Sequence, residues 1–295
     1  MLLIDKHENI SSFWAVAQVR RILGQKKAGH TGTLDPMASG VLPVMLGGAT
    51  KFCELLPTKD KAYRATMLLG VETDTLDITG SVLSQKYVGV SAKDVENVLP
   101  LFTGDIKQLP PMYSAIQKDG VRLYKLARQG VEIEREKRDV SIYSLSLVSF
   151  SEEKGEYVID VSCSAGTYVR SLISDIGKKL GCGAVMTRLR RTKANGFSVD
   201  ECITVSELEK LKDEGKSLDP LLIPVDRALS SYRGITVTDK QAVRFVNGGS
   251  LDIERLKQDI PEGVYRVYSR DKRFLGLGER KTGDEILSVK RLFIE

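Results

Sequence analysis

Histidine is scarce in this chain, with only His7 and His30 among 295 residues, and the four cysteines (Cys53, Cys163, Cys182, Cys202) include no C-x-x-C pair. No zinc site therefore has the expected spacing. Isolated thiols read as reduced core or surface residues of a cytosolic protein. There is no G-x-S-x-G elbow and no cysteine in an activating context, so Ser-His and Cys-His nucleophile systems are unsupported. Neither a P-loop nor G-x-G-x-x-G occurs, and nucleotide hydrolysis and dinucleotide binding are not indicated. The stretch Thr73-Asp74-Thr75-Leu76-Asp77-Ile78-Thr79-Gly80 has the acidic spacing of a calcium loop but lacks the bidentate glutamate, which rules out an EF-hand. No apolar run approaches membrane-spanning length. The opening Met1–Lys6 stretch is acidic too early, and its apolar run too short, for a signal peptide. Repeats and low-complexity tracts are absent.

What is present is an ordinary soluble composition, 42% apolar and 28% charged, with a net charge of +5. The length is too great for one ordinary core and comfortable for two domains. The basic bias suits an anionic partner. The cations gather locally: Arg20, Arg21, Lys26 and Lys27; Lys118, Arg122, Lys125 and Arg128; Arg188, Arg190, Arg191 and Lys193. One such cluster is usually a solvated face, whereas three beside glycine-rich loops point to phosphate contact.

The periodicities predict strands over 2–4, 63–69, 140–150, 157–163 and 185–193. Helices are predicted from Ser11–Ser12 to about Leu23, from Ser91, from the Ser164–Thr167 turn to Gly181, and from Thr204. Strands and helices mix without regular βαβ alternation, which argues α+β with a largely antiparallel mixed sheet flanked by helices and loops. Ser230–Gly234 reads as a linker. Beyond it, 263–268, 274–278 and 286–293 read as strands of a small β-rich module. The division expected is 1–230 and 235–295.

The candidate chemistry sits on Gly29-His30-Thr31-Gly32-Thr33-Leu34-Asp35-Pro36. Pro36 pushes Asp35 towards extended backbone. Gly29, Gly32 and Gly40 permit turns that side chains forbid, and Leu34, Val41, Leu42 and Val44 anchor the flanks. The result is a tight loop presenting one carboxylate. An Asp-Pro pair alone is usually only a turn. A lone carboxylate acts as a nucleophile if it stays ionised, which a nearby arginine favours. Arg170, two residues after Tyr168 at a helix start, is a candidate for that cation, although in isolation the two residues read as a surface pair. His30, alone, reads as a turn histidine.

Taken together these segments resemble the TruB family of tRNA pseudouridine-55 synthases. The resemblance rests on 29–36 followed by Gly40-Val41-Leu42-Pro43 and Gly47-Gly48-Ala49-Thr50-Lys51, and on Lys61-Ala62-Tyr63. It continues through Gln108-Leu109-Pro110-Pro111-Met112-Tyr113-Ser114-Ala115 with Lys118, Gly120, Tyr124, Ala127, Arg128 and Gly130, then Ser164–Arg170 and Leu189-Arg190-Arg191. The segment from about Ile235 is similar to a PUA-type RNA-binding module. One departure is visible: Lys6 is followed by His7-Glu8-Asn9 where the family commonly has Pro-x-Gly, which leaves the local turn and the role of Lys6 open.

The resemblance implies an isomerase that breaks the uridine N1–C1′ bond and rejoins the base through C5, at position 55 of the tRNA T-loop, without cofactor or metal; a cytoplasmic location is expected from the cysteines, no protein partner is expected, and monomer is the default state. It implies Asp35 as the nucleophile or the group that stabilises the ribose cation, Tyr63 as a catalytic residue that stacks on the target base and takes part in proton transfer, and Arg170 paired with Asp35. Tyr168 and Leu189 would pack around the flipped base, His30 would fill the space it leaves, and Lys6 would be a further substrate contact. Extruding the base costs a few kcal/mol, which phosphate contacts and the second domain would offset. The basic segment 113–138 is expected to contribute a mobile loop that orders on RNA. Three rivals are weaker. A non-catalytic tRNA-folding factor would be expected to lose Asp35, Tyr63 or Arg170. A base-excising glycosidase usually needs a second carboxylate, and nothing marks Asp74 or Asp77 as one. A guide-RNA-dependent relative is disfavoured by the long signature after Gln108.

Overall fold

The computed structural model describes residues 1–114, 116–118 and 120–293, with Lys118 described in its backbone only. Ala115, part of the signature after Gln108, lies outside the described residues, as does the Lys118 side chain. The chain divides into two compact units, one comprising Met1–Pro36, Val41–Thr58 and Asp200–Glu295, the other Met37–Gly40 and Lys59–Val199.

The second unit is built on antiparallel strands in the order Ala184–Ala194, Lys61–Leu69, Glu156–Cys163, Arg138–Ser151 and Gly104–Gln108. In Glu156–Cys163, Tyr157, Ile159, Val161 and Cys163 are buried while the residues between them are half-buried, as a period of two requires. Ser39 and Gly40 add a short parallel partner opposite Arg190 and Arg191. Gly40 has φ 106°, and a Cβ there would overlap the Arg191 carbonyl, so only glycine fits. Gly29, expected to serve a turn for the same reason, instead lies in the strand Ala28–His30 with open space around it.

The helix Val169–Lys179 buries Leu172, Ile173 and Ile176 and stops at Gly181, φ 81°. Each such side chain contributes roughly 1.5–3 kcal/mol when fully buried. The helix starts later than predicted. Ser164 does not cap it: its hydroxyl accepts the Ser141 N–H at 2.9 Å, and Thr167 donates to the Ser164 carbonyl at 3.0 Å, closing a turn. Segment 113–138 carries a hairpin, Gln117–Lys118 with Val121–Arg122, and a short helix, Leu123–Ala127, with Leu123 buried.

In the first unit the helix Ser12–Ile22 is capped by Ser11, whose hydroxyl accepts from the Trp14 N–H at 3.1 Å. Its inner face, Ala15, Val16, Val19 and Ile22, shares a core with Leu2, Ile4, Leu42, Val44, Val205 and Leu208. The C-terminal part is β-rich, as expected. Its strands run in the order Arg233–Thr236, Gly263–Tyr268, Phe274–Arg280, Ile286–Leu292 and Leu251–Asp252, around Ile235, Phe245, Leu256, Val267, Leu275 and Leu287. Arg233 and Gly234, read as linker, instead open a strand parallel to Gly263–Tyr268. The same part holds a helix that the periodicity did not predict, Asp239–Val246, begun by a Thr238/Gln241 capping box.

Candidate active site

Asp35 is half-buried, and both of its neighbours are fastened. On one side Ser12 Oγ, buried, donates to the Leu34 carbonyl and accepts the Leu34 N–H, each at 2.8 Å. On the other the Pro36 carbonyl accepts from the Asn9 N–H at 2.8 Å and from Lys6 Nζ at 3.3 Å. Lys6 is fully buried, and its ammonium also donates to the carbonyls of Ile10 at 2.8 Å and His7 at 3.0 Å. A buried charge persists only when its donors are used. These bonds make Lys6 the staple of the loop after Asp35. The turn that lacks the family's glycine is made by Asn9 at φ 65°, a residue that tolerates the left-handed region. His30 ends the short strand Ala28–His30, opposite Val44.

In the second unit Tyr63 and Leu189 are buried on adjacent strands, Tyr63 opposite Arg191 and Leu189 opposite Ala65. Directly opposed residues share a face of the sheet, so Tyr63, Leu189 and Arg191 line one surface. Lys61, on the same face two residues before Tyr63, has its ammonium pulled below the ordinary lysine range by burial and by the Arg191 charge. Tyr168 is half-buried at the helix entry, and its backbone is held by Gln108. The Gln108 amide donates to the Tyr168 carbonyl at 3.0 Å and its oxygen accepts the Tyr168 N–H at 2.7 Å.

Arg170 is buried in the first helical turn. Its guanidinium donates to Asp77 Oδ2 at 3.2 Å, to the Thr75 carbonyl at 3.0 Å and to the Tyr113 carbonyl at 2.7 Å. Asp77, buried, also accepts from Thr75 Oγ1 at 2.9 Å and from the Thr79 N–H at 3.0 Å. The acidic loop 73–80 thus holds a guanidinium. Asp77 is fully engaged there, and Asp74 accepts the Ser81 N–H at 2.8 Å. The sequence reading missed Asp77, Gln108 and Ser12. The Thr-x-Asp-x-Thr spacing of 75–79, which suits a side chain bonding its own loop, was the available signal for Asp77. Among the described residues no cluster of three or more His, Cys, Asp or Glu side chains could hold a metal ion. No helix there is long and apolar enough to cross a membrane.

The architecture has close counterparts among solved structures. A chain of a Cbf5–Nop10–Gar1 complex matches with a TM-score of 0.75 at 26% identity, covering 99% of this chain and 84% of that one. A chain of an H/ACA ribonucleoprotein bound to a substrate RNA containing 2′-deoxyuridine matches in fold with a TM-score of 0.73 at 24% identity, covering 100% and 84%. The class is that of the pseudouridine-synthase fold with a C-terminal β-rich domain. Family models match residues 20–169 (TruB family pseudouridylate synthase, N-terminal domain), 170–230 (tRNA pseudouridylate synthase B C-terminal domain) and 234–293 (pseudouridine synthase II TruB, C-terminal). The tRNA pseudouridine synthase B of Stutzerimonas stutzeri (strain A1501) is 44% identical over 281 residues, 95% of this chain and 90% of that protein. The Clostridium kluyveri protein of the same name is 41% identical over 295 residues, 100% of this chain and 99% of that protein. The chain belongs to the TruB family.

Proposed function

We propose that this protein isomerises uridine to pseudouridine at position 55 in the T-loop of tRNA. The N1–C1′ bond breaks, a C5–C1′ bond forms, C5 loses its proton and N1 gains one. Atoms and electrons balance within the nucleoside, so no oxidant, metal or nucleotide is needed. Asp35 is the nucleophile, or the carboxylate that stabilises the ribose cation, and Arg170 is the cation that keeps it ionised. Tyr63 stacks on the target base. Tyr168 and Leu189 pack around it, and His30 fills the space it leaves in the RNA. Lys6 serves the substrate through the loop it staples. The partner is tRNA alone, and the enzyme acts as a cytoplasmic monomer whose domain 235–295 is a PUA-like RNA-binding module. Part of segment 113–138 is a loop that orders on RNA.

The observation that supports this reading best is the fastening of Leu34 and Pro36 by Ser12, Asn9 and Lys6. A nucleophile held on both sides loses little entropy on reaching its target. A merely structural Asp-Pro turn would not call for a buried lysine beneath it. Asp35→Asn tests the reading, because it keeps the shape and removes the charge. The expected result is loss of tritium release from tRNA labelled at uridine C5, with filter binding of the same tRNA retained. Turnover in the variant would remove Asp35 from this role.

A further inference from the structure

Phe13 and Trp14, in the first turn of the helix Ser12–Ile22, leave 80% and 41% of their surfaces exposed. Ser12 and Ala15 on either side are buried, so the rings project from the outer face of a helix whose inner face is filled. A single exposed apolar side chain is ordinary; here two consecutive aromatic side chains are exposed on one turn, and Phe13 lies seven residues, two turns, before Arg20 on the same face of the helix. The indole is steadied by His7, whose ring meets it edge-on at 6.3 Å and 69°. This turn is also tied to the candidate nucleophile. Ser12 is bonded through its hydroxyl to both backbone groups of Leu34, so Phe13 and Asp35 each lie one residue from the same junction, within about 15 Å by chain geometry. Two turns further along the helix, about 10 Å away at 1.5 Å per residue, Arg20 and Arg21 are exposed.

We propose that Phe13 and Arg20, with Trp14 beside them, form a second RNA-contacting site: an unpaired base of the bound tRNA stacks on the Phe13 ring, and its backbone phosphate meets Arg20. The inference rests on the tRNA-substrate reading above. Aromatic faces accept any base, and stacking on them changes affinity about tenfold or more per base. Cations on the same helix supply the charge that RNA requires. A second copy of this chain fits less well, because Arg21 is already paired with Glu209 at 2.5 Å and the exposed Arg20 beside the rings favours an anionic partner over a like-charged copy.

Trp14 is the sole tryptophan of the chain, so its emission reports on this site alone. Titrating the full-length protein with a T-arm hairpin transcript should quench that emission with the same midpoint as filter binding. Phe13→Ala should raise the Kd about tenfold and leave the single-turnover rate at saturating RNA within about twofold. Phe13→Tyr, which keeps the ring, should restore affinity. Arg20→Ala should lower the slope of log affinity against log salt by about one. Unquenched Trp14 in a complex that binds and turns over overturns this second site alone, as does an unchanged Kd for Phe13→Ala, or a Phe13→Ala effect on self-association instead of RNA affinity. Absence of both RNA binding and turnover in the unaltered protein overturns the substrate reading first.

Discussion

Arg170 and Asp77 form an ion pair of 3.2 Å in which each side chain keeps only 7% and 6% of its exposure, respectively. Two carbonyls also accept from the guanidinium, at 3.0 and 2.7 Å, so the buried bridge is supported by further hydrogen bonds, the condition under which such a pair persists. Removing one partner strands the other charge at a cost of roughly 3–5 kcal/mol. Asp77→Ala should therefore lower the unfolding free energy by about that amount in urea titration. Asp77→Asn keeps an acceptor for Arg170 and removes the charge. It should cost less stability, and, if Arg170 acts on the reaction, should slow single-turnover tritium release at least tenfold. A full-rate Asp77→Asn variant would reduce the pair to scaffolding.

Lys6 carries a second expectation. Its ammonium donates to three carbonyls from full burial. Lys6→Met keeps an unbranched stem one atom shorter and removes the ammonium, so the His7 and Ile10 carbonyls lose this donor while Pro36 keeps only the Asn9 N–H, at about 1–3 kcal/mol for each acceptor left unsatisfied. Loss of stability and loss of rate should appear together, because one of those carbonyls belongs to Pro36, next to Asp35. Asn9→Gly should restore the family's residue at φ 65° with a change under about 1 kcal/mol, since both residues tolerate that backbone. Melting curves and single-turnover rates on the two variants check both halves.

The parts of this molecule that could be read beforehand are those whose cause is local. The alternation in 157–163 and the capping boxes at Ser91 and Thr204 each act within a few residues, and the structure contains each element. The Thr238/Gln241 box carries the same local signal, set between stronger strand patterns. What could not be read was long-range. Asp77 and Arg170 are 93 residues apart, and Gln108 and Tyr168 are 60 apart, so no periodicity couples them. Lys6 was recognisable by spacing, but its burial beneath the loop depends on where Pro36 and Ile10 place their carbonyls.

Tyr268 gives a test by pH. Burial first, then the hydrogen bond from its hydroxyl to Asp226 and the charge of that carboxylate, push the phenol up from 10 to about 12, against an opposing pull from Arg266. The bond to Asp226 is 2.9 Å, and the Arg266 guanidinium donates to the same hydroxyl at 3.1 Å while standing 5.8 Å from the ring centroid. The folded state therefore holds this proton more tightly than the unfolded chain. Its stabilising contribution is complete below pH 10 and is lost as the pH rises from 10 through about 12. Tyr268→Phe removes the titrating group and the Asp226 bond together, at a roughly constant cost of about 1 kcal/mol below pH 10. The stability of the native protein relative to Tyr268→Phe, measured by urea unfolding, should be level from pH 7 to 9.5 and then fall steadily. A difference that stays constant through pH 11.5 would show that the folded phenol titrates no later than the unfolded one.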